Sequence, residues 1–106
     1  MKYQPGSVFL YHSNKESVAH PYVIIRVIDE DNVEAVGLTT NKKKLGLPGN
    51  IILDKNDAGL EESIVNVANV VIIKISNLNE PVGYLSETRI EEIKNGIEFL
   101  NKITTR

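Results

Sequence analysis

The 106-residue chain contains no cysteine and no tryptophan, and it has only two histidines. Without cysteine, disulfides and thiolate zinc sites are excluded. No apolar run approaches the roughly 20 residues of a membrane-spanning helix, and residues 1–6 lack the apolar core of a signal peptide. We therefore expect a soluble, cytoplasmic protein that does not enter a membrane.

A strong excess of charge of either sign is also missing. Twelve basic and 14 acidic residues leave a formal net charge of -2, so the overall charge provides no long-range attraction to nucleic acid. Binding to RNA or DNA would need a local basic patch. The length is that of one domain, and we expect residues 1–106 to form a single domain around one small core.

Short apolar runs rich in Ile and Val, separated by polar turns, predict six or seven strands. The second and third runs flank the tight polar turn 29–32 and should form a hairpin. Between the runs we expect loops at 12–19, 39–47 and 54–62. The predicted strands are Val8–Tyr11, Tyr22–Ile28, Val33–Leu38, Ile51–Leu53, Ser63–Val67, Val70–Ile75 and Val82–Leu85.

The C-terminal segment changes to a helical period. Its apolar residues recur every three or four positions, at Ile90, Ile93, Ile97, Leu100 and Ile103. Ser86 is a suitable N-cap, although Thr88 with Glu91 also fits the capping-box spacing. Phe99 lies off this stripe and is available for a dimer or partner surface. The pattern predicts a mostly β, α+β fold, in which a curved antiparallel sheet or small barrel is covered by one helix.

Six segments, in chain order, resemble the MazF/PemK toxins. They include an opening Gly-containing turn and strand, an apolar strand preceded by a proline, and a strand end that carries a threonine. Together they cover nearly the whole chain. The segments are Gln4–Leu10, His20–Ile25, Val36–Asn41, Leu47–Leu53, Gly59–Val67 and Gly83–Ser86.

The resemblance implies an SH3-like barrel with a C-terminal helix, assembled as a homodimer. It also implies an endoribonuclease that cleaves single-stranded RNA without a metal or other cofactor and that a small cognate antitoxin blocks. Two features depart from the family pattern: His20 stands where the family usually has an arginine before the strand proline, and the 12–19 loop is short. A barrel that binds RNA or a protein partner without cleaving it is therefore the alternative.

Three residues are candidates for catalysis. Cleavage by the adjacent 2′-hydroxyl requires a base, an acid and donors to the phosphate. His20 can move a proton because imidazole titrates near neutral pH. Thr39 matches the family threonine and, with Thr40 beside it, offers hydroxyls to the phosphate. The structural alternatives are a histidine bonded to the loop backbone and threonines bonded to local backbone.

Candidate RNA-binding residues follow directly in the chain. Lys42, Lys43 and Lys44, preceded by Asn41, form a basic stretch that would attract RNA and make binding salt-sensitive, or would simply be a solvated loop. Further candidates are Arg26, for which an outward orientation is the simpler interpretation, and His12, which could pair with His20. No metal site is expected. The run 54–59 resembles the start of a calcium-binding loop, but Ala58 occupies a ligand position, and Val65 stands where such a loop needs a bidentate glutamate.

Overall fold

The computed structural model describes residues 3–12, 19–54, 57, 59 and 61–104, which form six strands, one long helix and two short 3-10 helices. The predicted loop 12–19 lies mostly outside the described residues, as does part of the loop 54–62. The strands are β1 (Ser7–Tyr11), β2 (His20–Val27), β3 (Asn32–Thr39), β4 (Ile51–Leu53), β5 (Ser63–Lys74) and β6 (Gly83–Tyr84), and the helix is α1 (Glu87–Thr104).

All the strand pairings among the described residues are antiparallel, in the order β4-β5-β3-β2-β1-β6. The predicted hairpin forms between β2 and β3, with Val23 opposite Val36. The sheet curves into a half-barrel, and α1 covers one of its faces. The prediction of a mostly β fold closed by a C-terminal helix is confirmed.

The prediction of two separate strands at 63–67 and 70–75 is wrong. Both belong to β5, which continues through residues 67–69. The register shows how: Val36 of β3 lies opposite Val70, whereas the next residue, Gly37, lies opposite Asn66. Three residues of β5, Val67–Asn69, therefore bulge out of the ladder, and a bulge bends a strand without ending it.

The predicted 39–47 loop is also more ordered than expected, since Lys42–Gly46 form a 3-10 helix. The Asn41 side chain caps this helix by accepting a hydrogen bond from the Lys43 backbone N–H at 3.1 Å. Asparagine is favoured at such positions because its short side chain reaches the unpaired N–H groups of the first turn.

Apolar side chains pack on both faces of the sheet because successive strand residues point to opposite sides. One core lies between the sheet and α1 and includes Val8, Val23, Val36, Val65 and Ile93. The second core lies on the other face and is built from Phe9, Tyr22, Ile24, Val33, Ala35, Ile73 and Leu78, with Tyr3 stacked on Phe9 at a centroid distance of 5.6 Å.

Helix α1 begins after Ser86, whose hydroxyl accepts a hydrogen bond from the Arg89 backbone N–H at 3.2 Å. This confirms Ser86 as the N-cap over the later start at Thr88. Ile90 and Ile93 are buried, whereas Ile103 is exposed, so the apolar stripe leaves the core at the last turn. Within the described part of the chain, no helix has the length and apolar character to cross a membrane.

The middle of α1 lies directly on the backbone of the turn before β4. Gly96 of the helix and Gly49 of the turn are so close that a Cβ on either residue would collide with the carbonyl oxygen of the other. The next residue, Asn50, accepts a hydrogen bond from the Val67 N–H at 2.9 Å and donates to the Lys44 carbonyl at 2.8 Å. The turn at Gly49 and Asn50 therefore contacts α1, the 3-10 helix and Val67, the first residue of the β5 bulge.

An ion pair connects the segment after β4 to the start of α1. The Arg89 guanidinium donates to both carboxylate oxygens of Asp57, at 2.9 and 3.2 Å. The Arg89 hydrogen bonds hold the pKa of the Asp57 carboxyl below its ordinary value, and the Asp54 N–H, which donates to Asp57 at 2.8 Å, lowers it further. A depressed carboxyl pKa stabilises the fold above about pH 4, and this contribution is lost as the pH falls through the folded-state value.

Asp57→Asn should therefore lower the free energy of unfolding by about 1 kcal/mol at pH 7, a modest value because both side chains are partly exposed. Urea titrations of wild type and variant at pH 7 and pH 2.5 measure this difference. The gap should shrink at the lower pH, where Asp57 becomes protonated in the wild type. The exposed Asp31 provides the control, since Asp31→Asn should change little at either pH. A gap of equal size at both pH values would contradict the proposed role of the ion pair.

Candidate active site

A polar cavity of about 240 Å³ opens on the face of the sheet opposite α1. It lies where the start of β2, the end of β3 and the bulge of β5 meet. The residues that line it are His20, Tyr22, Gly37, Leu38, Thr39, Asn66 and Asn69. Two of the three predicted catalytic residues, His20 and Thr39, are thus brought to one cavity from positions 19 residues apart in the sequence.

Strand alternation explains this placement. His20 and Tyr22 are two residues apart in β2, and Gly37 and Thr39 are two residues apart in β3, so each pair shares a face. Tyr22 lies directly opposite Gly37, which puts both pairs on the same face. Tyr22 belongs to the core on the sheet face opposite the helix. His20 and Thr39, at the ends of the two strands, therefore lie on that face beside this core and form part of the cavity wall.

The β5 bulge supplies the remaining polar groups. Asn66 lies opposite Gly37 in the ladder, and Asn69 is the last residue of the bulge. The Asn69 amide donates to the Tyr22 hydroxyl oxygen at 3.3 Å. The Asn66 Oδ1 atom is buried and accepts no hydrogen bond within the described structure. An unpaired buried acceptor destabilises a fold by about 1–3 kcal/mol, so Asn66 is a candidate for a role other than stability.

The Thr39 hydroxyl has a defined orientation. Its oxygen accepts a hydrogen bond from the Asn41 backbone N–H at 3.1 Å, a local turn typical of threonine at a strand end. A hydroxyl that accepts in this way keeps its own proton for donation to another group. Thr39 therefore does bond to local backbone, as the structural alternative predicts, and its hydroxyl can still donate a hydrogen bond to a ligand. Thr40 is exposed and does not line the cavity.

Among the described residues that line the cavity there is no carboxylate, lysine or arginine. An anionic group can enter without repulsion, and it would meet neutral donors from hydroxyl and amide groups. Among the described lining residues, His20 carries the side chain suited to acid–base catalysis. The site can therefore place donors on an oxyanion and move a proton, which are two requirements of phosphodiester cleavage.

Solved structures similar to this one include mycobacterial endoribonucleases and toxins. An endoribonuclease in complex with its cognate antitoxin, from a mycobacterial species, superposes with a TM-score of 0.75 and 19% identity over 97% of this chain and 98% of that one. The Mycobacterium tuberculosis toxin MazF-mt6 matches with a TM-score of 0.67 and 21% identity, over 86% of this chain and 91% of that one. This chain has the MazF fold.

A second mycobacterial endoribonuclease has the MazF-like fold at a TM-score of 0.73 and 20% identity, covering 92% of this chain and 88% of that chain. No protein-family model matches the sequence, and no curated protein matches it either. The likeness is therefore one of backbone architecture. It agrees with the resemblance drawn from the six sequence segments.

The predicted RNA-binding stretch lies beside the cavity of this MazF-like fold but does not line it. Lys42, Lys43 and Lys44 follow Thr39 closely in the 3-10 helix, and Asn41 is occupied as its cap. Lys42 forms an ion pair with Glu62, and both side chains are at least half exposed. A surface pair of this kind contributes little to stability, so the Lys42 ammonium can exchange Glu62 for a phosphate at low cost.

Arg26 and His12 are not brought to the cavity. Arg26 pairs with Glu34 at 3.3 Å, as expected for an outward orientation, and lines a separate cavity of about 720 Å³ between the sheet and α1. His12 follows β1 and is exposed. Tyr11, not His12, lies opposite His20. His12 is therefore not among the described residues that line the cavity with His20.

The sequence interpretation missed the three other lining residues with polar side chains, namely Tyr22, Asn66 and Asn69. A signal for the two asparagines was present, because asparagine is disfavoured inside an apolar β-branched run and both stand in the run from 63 to 75. Tyr22 gave no such signal, since aromatic residues are common in strands. Its role depends on the β5 bulge, which is set by tertiary pairing.

Proposed function

We propose that the protein is an endoribonuclease that cleaves single-stranded RNA in the cavity of His20 and Thr39 without a metal ion. The observation that carries this proposal is the meeting of a proton-transfer group and several neutral donors in one cavity, whose described lining residues are uncharged at their side chains apart from the His20 imidazole. The MazF fold and its likeness to endoribonucleases support it.

In the proposed reaction, His20 takes the proton from a ribose 2′-hydroxyl. The 2′-oxygen attacks the adjacent phosphorus, the bond to the 5′-oxygen breaks, and a 2′,3′-cyclic phosphate forms while the leaving oxygen takes up a proton from water. The hydroxide left by that water takes the proton from the His20 imidazolium and restores the neutral base. Thr39 donates a hydrogen bond to the phosphate oxygen on which negative charge grows. The imidazole of His20 thus performs acid–base work at the position where relatives carry an arginine.

We further propose that the enzyme acts in the cytoplasm as the toxin of a toxin–antitoxin pair, as a homodimer. The complex of a structural neighbour with its cognate antitoxin supports a small protein inhibitor here. The small core and the exposed apolar side chains Ile72 and Phe99 are compatible with pairing.

The experiment that tests the activity is incubation of purified protein with long single-stranded RNA in EDTA, beside the same RNA annealed to its complement. Discrete fragments should appear from the single strand. Tight binding without fragments would overturn the proposal in favour of a non-catalytic RNA-binding barrel.

Replacing Lys42, Lys43 and Lys44 with alanine should weaken RNA binding and flatten its salt dependence. Each lysine contact with a single-strand phosphate contributes about 0.7 to the slope of log affinity against log salt, so the slope should fall by about 2. Filter binding across a salt series measures it. The matched control replaces Lys74, Lys94 and Lys102, which removes the same charge away from the cavity. Equal slopes for the two triple variants would show that the 42–44 stretch does not contact RNA.

Asn66→Val should reduce RNA cleavage at least about 10-fold while leaving stability unchanged or higher by about 1 kcal/mol. The variant removes a buried acceptor that has no partner and introduces a residue that strands favour. Single-turnover cleavage and urea unfolding give the two values. If Asn66 serves the fold, the result should be reversed, with stability lost and activity kept.

A further inference from the structure

The Tyr22 hydroxyl lies in the cavity wall, and the direction of its proton is set by a neighbour. Asn69 Nδ2 donates to the Tyr22 oxygen at 3.3 Å. A phenol oxygen that accepts a bond from an amide must direct its own O–H elsewhere. The ring itself is held in place, since Tyr22 is 5% exposed and Tyr11 packs edge-on against it at a centroid distance of 5.6 Å.

Gly37 provides the space that this arrangement needs. It lies opposite Tyr22, and the Asn69 side chain folds back from the bulge onto the position where a Cβ of residue 37 would stand. The same Cβ would lie 3.4 Å from the Tyr22 ring. Because the obstructing atom is the end of a side chain, an added methyl group should displace the Asn69 amide and leave the backbone in place.

We infer that Asn69, seated over Gly37, is a positioning residue that directs the Tyr22 hydroxyl proton into the cavity, where Tyr22 donates a hydrogen bond to the scissile phosphate. This inference rests on the proposed endoribonuclease function. It makes Tyr22 a catalytic residue beside His20 and Thr39, and it gives the polar side chain of Asn69, in the bulge of a mostly apolar strand, a role in catalysis.

The test is a double-mutant cycle of Tyr22→Phe and Asn69→Ala, measured by RNA cleavage. Tyr22→Phe should lower kcat on the order of 100-fold with little change in KM, because the bond strengthens as charge develops on the phosphate. Asn69→Ala should lower kcat about 10-fold when Tyr22 is present and have no effect in the Tyr22→Phe background. Gly37→Ala should reproduce the Asn69→Ala result.

Asn69→Asp separates positioning from a general structural role. A carboxylate only accepts hydrogen bonds, so it should capture the Tyr22 proton and lower kcat as far as Tyr22→Phe does. Near wild-type activity of Asn69→Asp would overturn the inference. The control variants are Tyr84→Phe and Asn79→Ala, which change the same residue types at exposed positions. Circular dichroism and thermal unfolding confirm that each variant is folded.

The outcomes distinguish this inference from the function on which it rests. Cleavage by the wild type with additive effects of Tyr22→Phe and Asn69→Ala overturns the positioning role alone. Absence of cleavage by the wild type overturns the proposed function and this inference with it.

Discussion

His20→Ala should slow single-turnover RNA cleavage by about 100- to 10,000-fold, which is the loss typical of a positioned acid or base. The attacking 2′-hydroxyl must lose a proton, and His20 is the side chain of the cavity wall suited to accept it near neutral pH. Its side chain is exposed at the start of β2, so the substitution removes no core packing. Circular dichroism of the variant should match the wild type.

The pH dependence identifies the role of His20 more closely. If neutral imidazole is the base, the pH–rate profile should have an acidic limb, because a protonated base cannot accept the proton. His20→Arg should abolish this acidic limb, because arginine stays charged throughout the range. Wild-type rates from folded His20→Ala would instead assign the residue a structural role.

The two adjacent threonines provide a matched comparison within the same experiment. Thr39→Ala should lower the single-turnover cleavage rate on the order of 100-fold, as expected when a hydrogen-bond donor to the phosphate is lost. Thr40→Ala removes the same atoms one residue later, outside the cavity, and should have a far smaller effect. Equal losses from both variants would contradict the assignment of the hydroxyl to Thr39.

Gly96→Val should destabilise the protein by about 3 kcal/mol, and Gly96→Ala by about 1–2 kcal/mol, as typical of an overpacked contact. In an isolated helix the alanine substitution would stabilise by about 1 kcal/mol. The opposite sign is expected here because the new Cβ would collide with the Gly49 carbonyl oxygen, a backbone atom that cannot turn aside. The helix or the turn before β4 must move.

Thermal unfolding measures the effect of the Gly96 substitutions. A loss of 3 kcal/mol should lower Tm by roughly 10 °C or more in a protein of this size. The control is Asn95→Ala, an exposed neighbour in the same helix, which should gain a few tenths of a kcal/mol from helix propensity. Stabilisation of equal size in Asn95→Ala and Gly96→Ala would contradict the close contact between the two glycine backbones.

Local chemistry made much of the fold predictable from sequence. Two apolar runs on either side of the polar turn 29–32 predicted the β2–β3 hairpin, and the three- and four-residue spacing of Ile90, Ile93 and Ile97 predicted α1, with Ser86 at its start. These features depend on neighbours in the chain. The continuity of β5 was not predictable in this way, because its bulge is set by pairing with β3.

The candidate site was partly predictable for the same reason. His20 and Thr39 carry chemistry that is visible in the sequence, and the family resemblance aligned them. Asn66 and Asn69 acquire significance only when the bulge turns them toward Gly37 and Tyr22. Arg26 is the opposite case. It is charged and close to His20 in sequence, yet it lines the other cavity, between the sheet and α1.

The central claim is that the cavity cleaves RNA through the 2′-hydroxyl of its substrate. The direct measurement compares a single-stranded RNA that the wild type cuts with a DNA-substituted copy lacking every 2′-hydroxyl, both in EDTA with protein in excess. The RNA should be cut to fragments that end in 2′,3′-cyclic phosphate, and the 2′-deoxy strand should stay intact. Cleavage of the 2′-deoxy strand, or intact RNA of every sequence offered, would contradict the claim.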